Sequence, residues 1–345
     1  MIIAHVCTPH GLGHLTRQIA LATSLKKYGC QSTFFCHNAA LVHENLPESN
    51  VIHRYADVGI VQPTSTTIDI DKTIVLLNQR CTRTAIEEWA SILKNYHLVI
   101  ADIPPLIFAA ARKANVPVLG IGNFDWIWIY QHFPRLKPWA ETMKRWQEGH
   151  HAIQLFPGHP LHCSIQAHGQ WLARESKAPL VTLPSTNILV GFGGLTKEEI
   201  SKLPHIENVY WIITSPITIA VREDIKCMYS VPFPSLMNAV DIVFSKAGYG
   251  ILAESNVTGT PQIWMKRSSF PEAKILESFA RSKGDIVISS QWGTKRWKQD
   301  LKEAVSSLQD TQRSPQNNDN DRLAQWIVNT YGTSYTNKNR NTRQQ

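Results

Sequence analysis

A short apolar run, a glycine turn and a helical segment follow one another in residues 241–254, and this succession restricts the fold of the chain most. Residues 241–245 have the composition of a buried strand, and Gly248 and Gly250 allow backbone approaches that a β-carbon would block. A helix is predicted over residues 249–256. Its amino terminus would present unpaired N–H groups and a positive dipole end. The segment therefore predicts a strand-turn-helix unit of an α/β fold that can hold a phosphate.

The same succession opens the chain. Residues 2–8 form an apolar run, Gly11 and Gly13 make a turn, and residues 15–25 carry apolar side chains at helical spacing. Further strands are predicted at 32–36, 51–55, 97–101 and 116–121, and helices at 72–95 and 109–113. This repeated βα order predicts a parallel, doubly wound sheet. Ligands of such sheets bind beyond the carboxyl ends of the strands, where residues 11–14, Asp102 and Asn123 fall.

A second βα series follows a stretch of weaker pattern, residues 147–186, and we place the domain link late in this stretch. Its predicted strands are 187–190, 210–213, 242–244, 262–265 and 285–288, and its predicted helices are 197–203, 249–256, 272–283 and 295–308. We therefore expect two Rossmann-like domains, residues 1–165 and 186–320. A helix at 321–332 is expected to cross back onto the first domain, and the polar residues 333–345 are expected to be disordered.

Composition restricts the partners and the compartment. The chain has 345 residues, 43% of them hydrophobic, with a formal net charge of +8 and a pI near 9.2. This charge favours an anionic partner, and it is compatible with a sugar nucleotide, an anionic membrane surface or nucleic acid. Nucleic acid is disfavoured because no basic run is interleaved with aromatic residues. Six scattered cysteines without a Cys-x-x-Cys pair indicate reduced thiols, and we expect a cytoplasmic protein, soluble or peripheral at the inner face of a membrane.

The glycine turn at residues 248–250, Glu254 and the following Gly-Thr-Pro at 259–261 together resemble the donor site of GT-B glycosyltransferases. The likeness is strongest to family 28, which includes the N-acetylglucosaminyltransferase of peptidoglycan synthesis. It implies two Rossmann-like domains facing a cleft. It also implies that Glu254 binds the ribose hydroxyls and that Gly248, Tyr249 and Gly250 face the diphosphate of a nucleotide sugar.

Further donor-binding residues are implied by the same resemblance. The glycine cluster at 191–194 would place Gly193 and Gly194 against the diphosphate. Lys246 would add a charge at the end of the strand, or else is a solvated lysine. Glu272 would contact the transferred sugar, with Arg267 as a weaker choice, although both are also ordinary charges of a loop.

His14 is the predicted general base, because histidine titrates near neutral pH and this one stands at the mouth of the first helix. The segment resembles the glycine loop and histidine of glycosyltransferase families 28 and 1, and His10 is the competing choice. Asp102 resembles the family 1 aspartate that partners the catalytic histidine and fixes its tautomer. The structural alternatives are a histidine that only bonds the turn and an aspartate that caps the next helix.

The position eight residues before Glu254 distinguishes two stereochemical outcomes. Retaining GT-B enzymes have a glutamate there, whereas this chain has Lys246. The resemblance therefore implies an inverting reaction that uses no metal and no cofactor. The Asp-x-Asp at 69–71 is interpreted as a helix cap rather than a manganese motif. The histidines and cysteine at 159–168 match no zinc framework.

An aromatic segment at residues 123–130 follows a predicted strand. Asn123 and Trp126 are possible acceptor contacts, with core packing as the alternative. Together with residues 57–62 and 246–250, this segment resembles the glycosyltransferase-like amino-terminal half of plant arabinokinase, whose role is unsettled. Since no kinase domain is expected to follow, kinase activity is not implied.

The sequence thus predicts a hexosyltransferase-like enzyme that transfers a sugar from a nucleotide diphosphate sugar to an unidentified acceptor. A sugar-nucleotide epimerase or hydrolase on the same fold is the enzymatic alternative. A sugar-nucleotide-binding subunit without catalysis is the non-enzymatic alternative. The oligomeric state is left open.

Overall fold

Two parallel β-sheets organise the chain, one in each of two units. The computed structural model describes residues 1–64, 67–176, 185–192, 195–214, 222–266 and 270–341. Unit 1 comprises Met1–Leu172 and Asn318–Gln345, and unit 2 comprises Ala173–Asn317. The α/β class with parallel, doubly wound sheets that the sequence predicts is confirmed.

The central strands of the sheet of unit 1 are apolar runs buried on both faces, as expected for parallel strands covered by helices. The strands of this unit are β1 (Ile2–Cys7), β2 (Gln31–Phe35), β3 (Asn50–Ile52), β4 (Val61–Thr64), β5 (Thr67–Asp69), β6 (Leu98–Asp102), β7 (Val118–Gly122), β8 (His151–Leu155) and β9 (Ser164–Gly169). Seven of them form one sheet in the order β3-β2-β1-β6-β7-β8-β9, whereas β4 and β5 form an antiparallel hairpin. The order reverses between β1 and β6, where Cys7 is in register with Asp102.

Helices cover this sheet, and four of them begin with a side-chain cap. They are α1 (Gly13–Lys26), α2 (Ala39–Asn45), α3 (Ile70–Arg80), α4 (Arg83–Leu93), α5 (Pro105–Ala114), α6 (Trp126–Gln131) and α7 (Lys137–Gln147), with a 3₁₀ turn at Pro134–Leu136. The single helix predicted over 72–95 is wrong, because Thr82 accepts from the N–H of Ala85 at 3.1 Å and starts a second helix. Asp69 caps α3 by accepting from the N–H of Lys72 at 2.8 Å, as the sequence predicts.

Strands β8 and β9 extend the sheet of unit 1 into the stretch that the sequence analysis assigns to the domain link. The expected boundary at residue 165 falls inside β9, whereas the division between the units follows Leu172. The pattern of β9 is hard to recognise because most of its side chains are exposed or half-buried at the edge of the sheet. A hydrophobic run is therefore missing where a strand is present.

A last helix, α13 (Asn320–Asn341), belongs to unit 1 and packs against α1. Leu323, Ala324 and Ile327 are fully buried in a cluster that includes Leu21 and Leu25 of α1. The helix continues past residue 332, where the sequence analysis places its end. No proline interrupts residues 333–341, so the backbone can remain helical there.

Unit 2 repeats the βα arrangement with a six-stranded parallel sheet. Its strands are β10 (Thr186–Gly191), β11 (Val209–Ile213), β12 (Ile225–Cys227), β13 (Ile242–Lys246), β14 (Gln262–Met265) and β15 (Ile286–Ile288). Its helices are α8 (Lys197–Ser201), α9 (Phe233–Met237), α10 (Tyr249–Thr258), α11 (Ala273–Ser282) and α12 (Lys295–Leu308). The order is β12-β11-β10-β13-β14-β15, so the reversal lies between β10 and β13. Both the glycine cluster after β10 and the turn after β13 start at this reversal.

None of the helices in the described part of the chain combines the length and the apolar character that crossing a bilayer requires.

Candidate functional site

The reversal of strand order in unit 1 brings His14 and Asp102 together. Asp102 ends β6 and is fully buried, and His14 is the second residue of α1, the helix that follows β1. Nδ1 of His14 lies 2.7 Å from Oδ1 of Asp102. The predicted contact between these residues, which are 88 positions apart, is therefore present. The contact lies at the carboxyl ends of the strands, where doubly wound folds bind ligands.

Arg17 is the residue of this site that the sequence analysis missed. It is 4% exposed and binds both oxygens of Asp102, through Nε to Oδ2 at 2.6 Å and through Nη2 to Oδ1 at 2.5 Å. Its Nη2 also lies 2.7 Å from Nδ1 of His14. Residues three apart share a helix face, so the position of Arg17 relative to His14 was an available signal. Another signal was that Arg17 is the only Lys, Arg, Asp or Glu among residues 13–25.

Asn123 supports Arg17 through its side-chain amide, and its predicted acceptor contact stays a prediction. Its Oδ1 accepts from Nη1 of Arg17 at 2.7 Å, and its Nδ2 donates to the carbonyl of Pro157 at 2.8 Å. Both ends of the amide are thus used inside the protein, and the side chain is 4% exposed. Asn123 fixes the guanidinium, because a planar group held at several nitrogens has one orientation.

A second chain of hydrogen bonds reaches Asp102 from the other side. Nε2 of Gln18 donates to Oδ2 of Asp102 at 3.0 Å, and Oε1 of Gln18 lies 2.9 Å from Nδ1 of His5. Nε2 of His5 lies 3.2 Å from Oγ of Ser32. Burial lowers the pKa of His5 to about 4, so this ring is neutral at physiological pH. The chain orients Asp102 without adding charge.

The charges at the site favour a neutral His14. Burial raises the pKa of Asp102, but Arg17 and His14 outweigh burial and bring it down to about 2, so the carboxylate is ionised. Burial lowers the pKa of His14, Arg17 lowers it further, and Asp102 opposes both with a smaller effect. A neutral imidazole can accept a proton, which is what a general base requires.

The glycine loop before α1 is shaped by one backbone conformation. Gly11 has φ +85°, in the left-handed region that favours glycine, and Gly13 begins the helix. His10, the competing base, is half-buried and meets the ring of Trp126 edge-on at 5.2 Å. His14 has the carboxylate partner that the prediction requires.

Trp126 belongs to the core, which favours the packing alternative over the predicted acceptor contact. Its side chain is fully buried and its Nε1 donates to Oδ2 of Asp57 at 2.9 Å. The hydroxyl of Tyr130, also buried, donates to the carbonyl of Gly59 at 2.6 Å. A ring without exposed surface cannot stack on a sugar.

Burial raises the pKa of Asp57 to about 7, against the opposing effects of Thr8 and Trp126.

The turn after β13 is the corresponding feature of unit 2. Gly248 is the N-cap residue of α10, and Tyr249 and Gly250 form its first turn. Gly248 has φ −170°, an extended conformation open to any residue, and a β-carbon built on it meets no atom within 4 Å among the described residues. Neither the backbone nor packing requires glycine there. Open space beside a helix amino terminus suits an anionic ligand.

Gly191 and Lys246 lie beside this turn. A β-carbon on Gly191 would lie 2.5 Å from Cδ1 of Ile251, so this glycine allows β10 to pack against α10. Lys246 is the last residue of β13 and is half-buried. Glu272 precedes α11 and is 7% exposed. The predicted donor residues Gly193 and Gly194, and the weaker choice Arg267, lie outside the described residues.

Glu254 has a partner within unit 2 that the sequence analysis did not identify. Nε of Arg174 donates to Oε1 of Glu254 at 2.7 Å, and Nη2 of Arg174 donates to Oε2 at 3.2 Å. The two side chains are 7% and 5% exposed. The carboxylate predicted to bind ribose hydroxyls is therefore already engaged on both oxygens. The 80 residues between the partners explain why no local pattern predicts the pair.

The histidines at 159–168 have other uses where the structure shows their contacts. Nδ1 of His162 lies 2.9 Å from Oδ2 of Asp125, and the ring of His159 stacks on Trp128 at 4.5 Å. Asp125 also caps α6 through the N–H of Trp128 at 3.0 Å. Over the described ranges, no group of three or more His, Cys, Asp or Glu side chains could hold a metal ion.

Comparison with known proteins connects this geometry to one fold. No protein family model matches the chain. An L-arabinokinase of Arabidopsis thaliana is 21% identical over 309 residues, covering 81% of this chain and 29% of that protein. The chain thus spans less than a third of the length of this curated relative.

Solved structures of other proteins align with nearly the whole chain. A crystal structure of UGT89C1 of Arabidopsis thaliana complexed with UDP has a TM-score of 0.59 at 11% identity, covering 96% of this chain and 99% of that one. The glycosyltransferase VinC in complex with dTDP has a TM-score of 0.59 at 14% identity, covering 96% and 100%. The chain therefore has the GT-B fold of these glycosyltransferases.

Proposed function

We propose that this protein is a glycosyltransferase that moves a sugar from a nucleoside diphosphate to an acceptor hydroxyl. The observation that carries the proposal is the contact of His14 with Asp102 at the strand reversal of unit 1. On this fold, a neutral imidazole held by a buried carboxylate supplies the general base that attack by a hydroxyl needs. Unit 1 would then provide the base and unit 2 the donor site.

The open space at Gly248 supports the donor site. A diphosphate at the amino terminus of α10 would meet backbone N–H groups and the positive end of the helix dipole. Lys246, at the end of β13, would add a point charge. Tyr249, Gly250 and Glu272 stay proposed donor contacts. Since UGT89C1 and VinC were solved with UDP and dTDP, nucleoside diphosphates of this kind are the first donors to test.

The proposed step is a single displacement with inversion. The acceptor oxygen forms a bond to the anomeric carbon as its proton passes to Nε2 of His14, because the Nδ1 edge faces Asp102. The bond from the anomeric carbon to the diphosphate breaks, and the electron pair leaves with the nucleoside diphosphate. Backbone N–H groups at α10 would stabilise the charge on that leaving group without a metal. Lys246 in place of a carboxylate favours inversion, since no second nucleophile is offered there.

A binding screen followed by product analysis tests the proposal. A bound donor raises the melting temperature by mass action, so UDP, dTDP and GDP and their common sugar derivatives are tested first. Donors that bind are then incubated with a panel of hydroxyl acceptors, and release of nucleoside diphosphate and the anomeric configuration of the product are measured. We expect acceptor-dependent release and an inverted product.

Other outcomes separate the alternatives. A changed or cleaved donor without acceptor would identify an epimerase or a hydrolase instead. Binding without turnover, with no effect of His14→Ala, would identify a binding subunit. Failure of every nucleotide to bind would contradict the donor site itself.

A further inference from the structure

The contact between Arg174 and Glu254 restricts what this carboxylate can recognise. Both nitrogens on one edge of the guanidinium donate to Glu254, one to each oxygen. Such a side-by-side contact is the strong, geometrically specific form of an arginine–carboxylate pair. Both side chains are more than nine-tenths buried, so the pair is well shielded from water.

A carboxylate has two oxygens and about four lone-pair positions. The two that point toward each other across the open side of the group are the ones that a two-pronged donor uses, and Arg174 occupies this side of Glu254. The remaining two point to opposite flanks. The neighbouring hydroxyls of a ribose are themselves a two-pronged donor and cannot reach both flanks at once. With Arg174 in place, Glu254 can accept from one hydroxyl only.

Displacement of Arg174 by the ribose is the competing arrangement. It would leave a guanidinium without its carboxylate in a buried setting, which is strongly unfavourable. The ribose hydroxyls would return less, because in water they are already hydrogen bonded. The ion pair is therefore expected to persist when a nucleotide binds.

We propose that Arg174 is a specificity-determining residue which limits Glu254 to a single hydroxyl of the donor ribose. This inference rests on the proposed function, because it requires a nucleoside diphosphate at α10. It departs from the sequence-based expectation that Glu254 binds both hydroxyls. If the recognised hydroxyl is the 3′-hydroxyl, donors built on ribose and on 2′-deoxyribose are accepted alike.

Calorimetric titration with UDP, 2′-deoxy-UDP and 3′-deoxy-UDP tests the inference. We expect one deoxy analogue to bind within about threefold of UDP and the other to bind about tenfold or more weakly, the loss of one charged hydrogen bond. Weaker binding of both analogues would show that Glu254 accepts from both hydroxyls. Binding of both analogues as tight as that of UDP would show that Glu254 contacts neither hydroxyl. Either result overturns the inference and leaves the proposed function standing, whereas failure of UDP, dTDP and GDP alike to bind overturns both.

Two variants assign the effect to the pair. Glu254→Gln should bring the sensitive analogue to within about threefold of UDP, because a weaker acceptor loses the charged hydrogen bond. Arg174→Lys keeps the buried charge but presents a single ammonium in place of the fork, which frees one carboxylate oxygen. The second hydroxyl should then contribute to affinity. The analogue that binds to wild type about as tightly as UDP should therefore bind to this variant about threefold or more weakly than UDP.

Arg313→Lys is the matched control, because Arg313 also pairs with a carboxylate of unit 2, that of Asp285, away from α10's amino terminus. It should leave the ratios of the three nucleotides unchanged. If Arg174→Lys leaves them unchanged as well while folding normally by circular dichroism, Arg174 does not set the hydroxyl selectivity.

Discussion

Nη2 of Arg17 lies 2.7 Å from Nδ1 of His14, the same nitrogen that faces Oδ1 of Asp102 at 2.7 Å. Arg17 can donate to this nitrogen only when it carries no proton, whereas Asp102 can accept from it only when it does. The two partners therefore favour opposite tautomers of His14. A base that acts through Nε2 requires the tautomer that Asp102 favours.

Removing the charge of Arg17 should raise the pKa of His14. Arg17 is the second cause, after burial, of the lowered pKa, and without Arg17 only burial would oppose the effect of Asp102. In Arg17→Met, ¹⁵N NMR of the labelled histidines should show His14 titrating at higher pH than in wild type, with its proton on Nδ1 when neutral. The acidic limb of kcat/KM should move to higher pH in parallel.

Arg17→Lys is the control for this change because it keeps a positive charge near His14. Its titration should stay below the ordinary range of histidine. Arg17→Met also leaves Asp102 without its main partner, so we expect a loss of roughly 3–5 kcal/mol in the free energy of unfolding. An unchanged His14 titration in a folded Arg17→Met protein would show that Arg17 does not control this imidazole.

His14→Ala and His10→Ala distinguish the two possible bases. With a donor and acceptor pair found by product analysis, His14→Ala should lower kcat by roughly 10²–10⁴-fold, the usual contribution of general acid–base catalysis. His10 has an edge contact with Trp126, so its loss should change kcat by less than about tenfold. The reverse order of effects in steady-state kinetics would assign the base to His10.

Gly248→Ala should weaken nucleotide binding without weakening the fold. The backbone there is extended and the added methyl group meets nothing in the described structure, so the free energy of unfolding should change by less than about 1 kcal/mol. The same methyl group would occupy the space proposed for the diphosphate, and we expect about a tenfold or larger rise in Kd. Calorimetry and urea unfolding measure the two quantities.

Gly259→Ala provides the opposite case on the same helix. Gly259 ends α10 with φ +76°, and a β-carbon would lie 2.5 Å from the carbonyl oxygen of Arg313. This variant should lose roughly 1–3 kcal/mol of stability.

Equal nucleotide affinity of Gly248→Ala and wild type would exclude the space beside Gly248 as the phosphate position.

Asp57 should make the protein less stable as the pH rises toward neutrality. Burial raises its pKa from 3.8 to about 7, so between these values the folded protein holds a proton that the unfolded chain has lost. The stabilisation is fully present below pH 3.8 and is lost as the pH passes about 7. From pH 5 to pH 7.5, wild type should lose about 2–3 kcal/mol more than Asp57→Asn in urea unfolding.

The asparagine keeps an acceptor for Nε1 of Trp126, so packing is retained. Asp310→Asn, an exchange of the same type at an exposed position, should follow wild type across the pH range. Parallel curves for wild type and Asp57→Asn would mean that Asp57 is ionised throughout.

Local pattern predicted the parts of this fold that local sequence determines. The strands at residues 2–7 and 262–265 and the helix at 295–308 follow from apolar runs and helical spacing. The ends of strands in a doubly wound sheet are known places for ligands, which made His14 and Asp102 predictable as neighbours. Edge strand β9 could not be recognised, because its exposed side chains give it no apolar signature.

The charged partners were not predictable by the same means. Arg17 meets Asp102 and Asn123 across 85 and 106 residues, and Arg174 meets Glu254 across 80. Each pair depends on which strands become neighbours, and the cost of burying either charge is offset only when both partners are present. A single sequence shows the cations but not what they bind.

The buried contact of α13 with α1 has a consequence for the order of synthesis. Leu323, Ala324 and Ile327 complete a cluster that includes Leu21, Leu25 and Leu172. A ribosome makes the whole of residues 173–317 before it reaches them. Because domains fold as they emerge, unit 2 can reach its final structure while the first-made unit still exposes an apolar face. The portion of the chain that is translated first is therefore completed last.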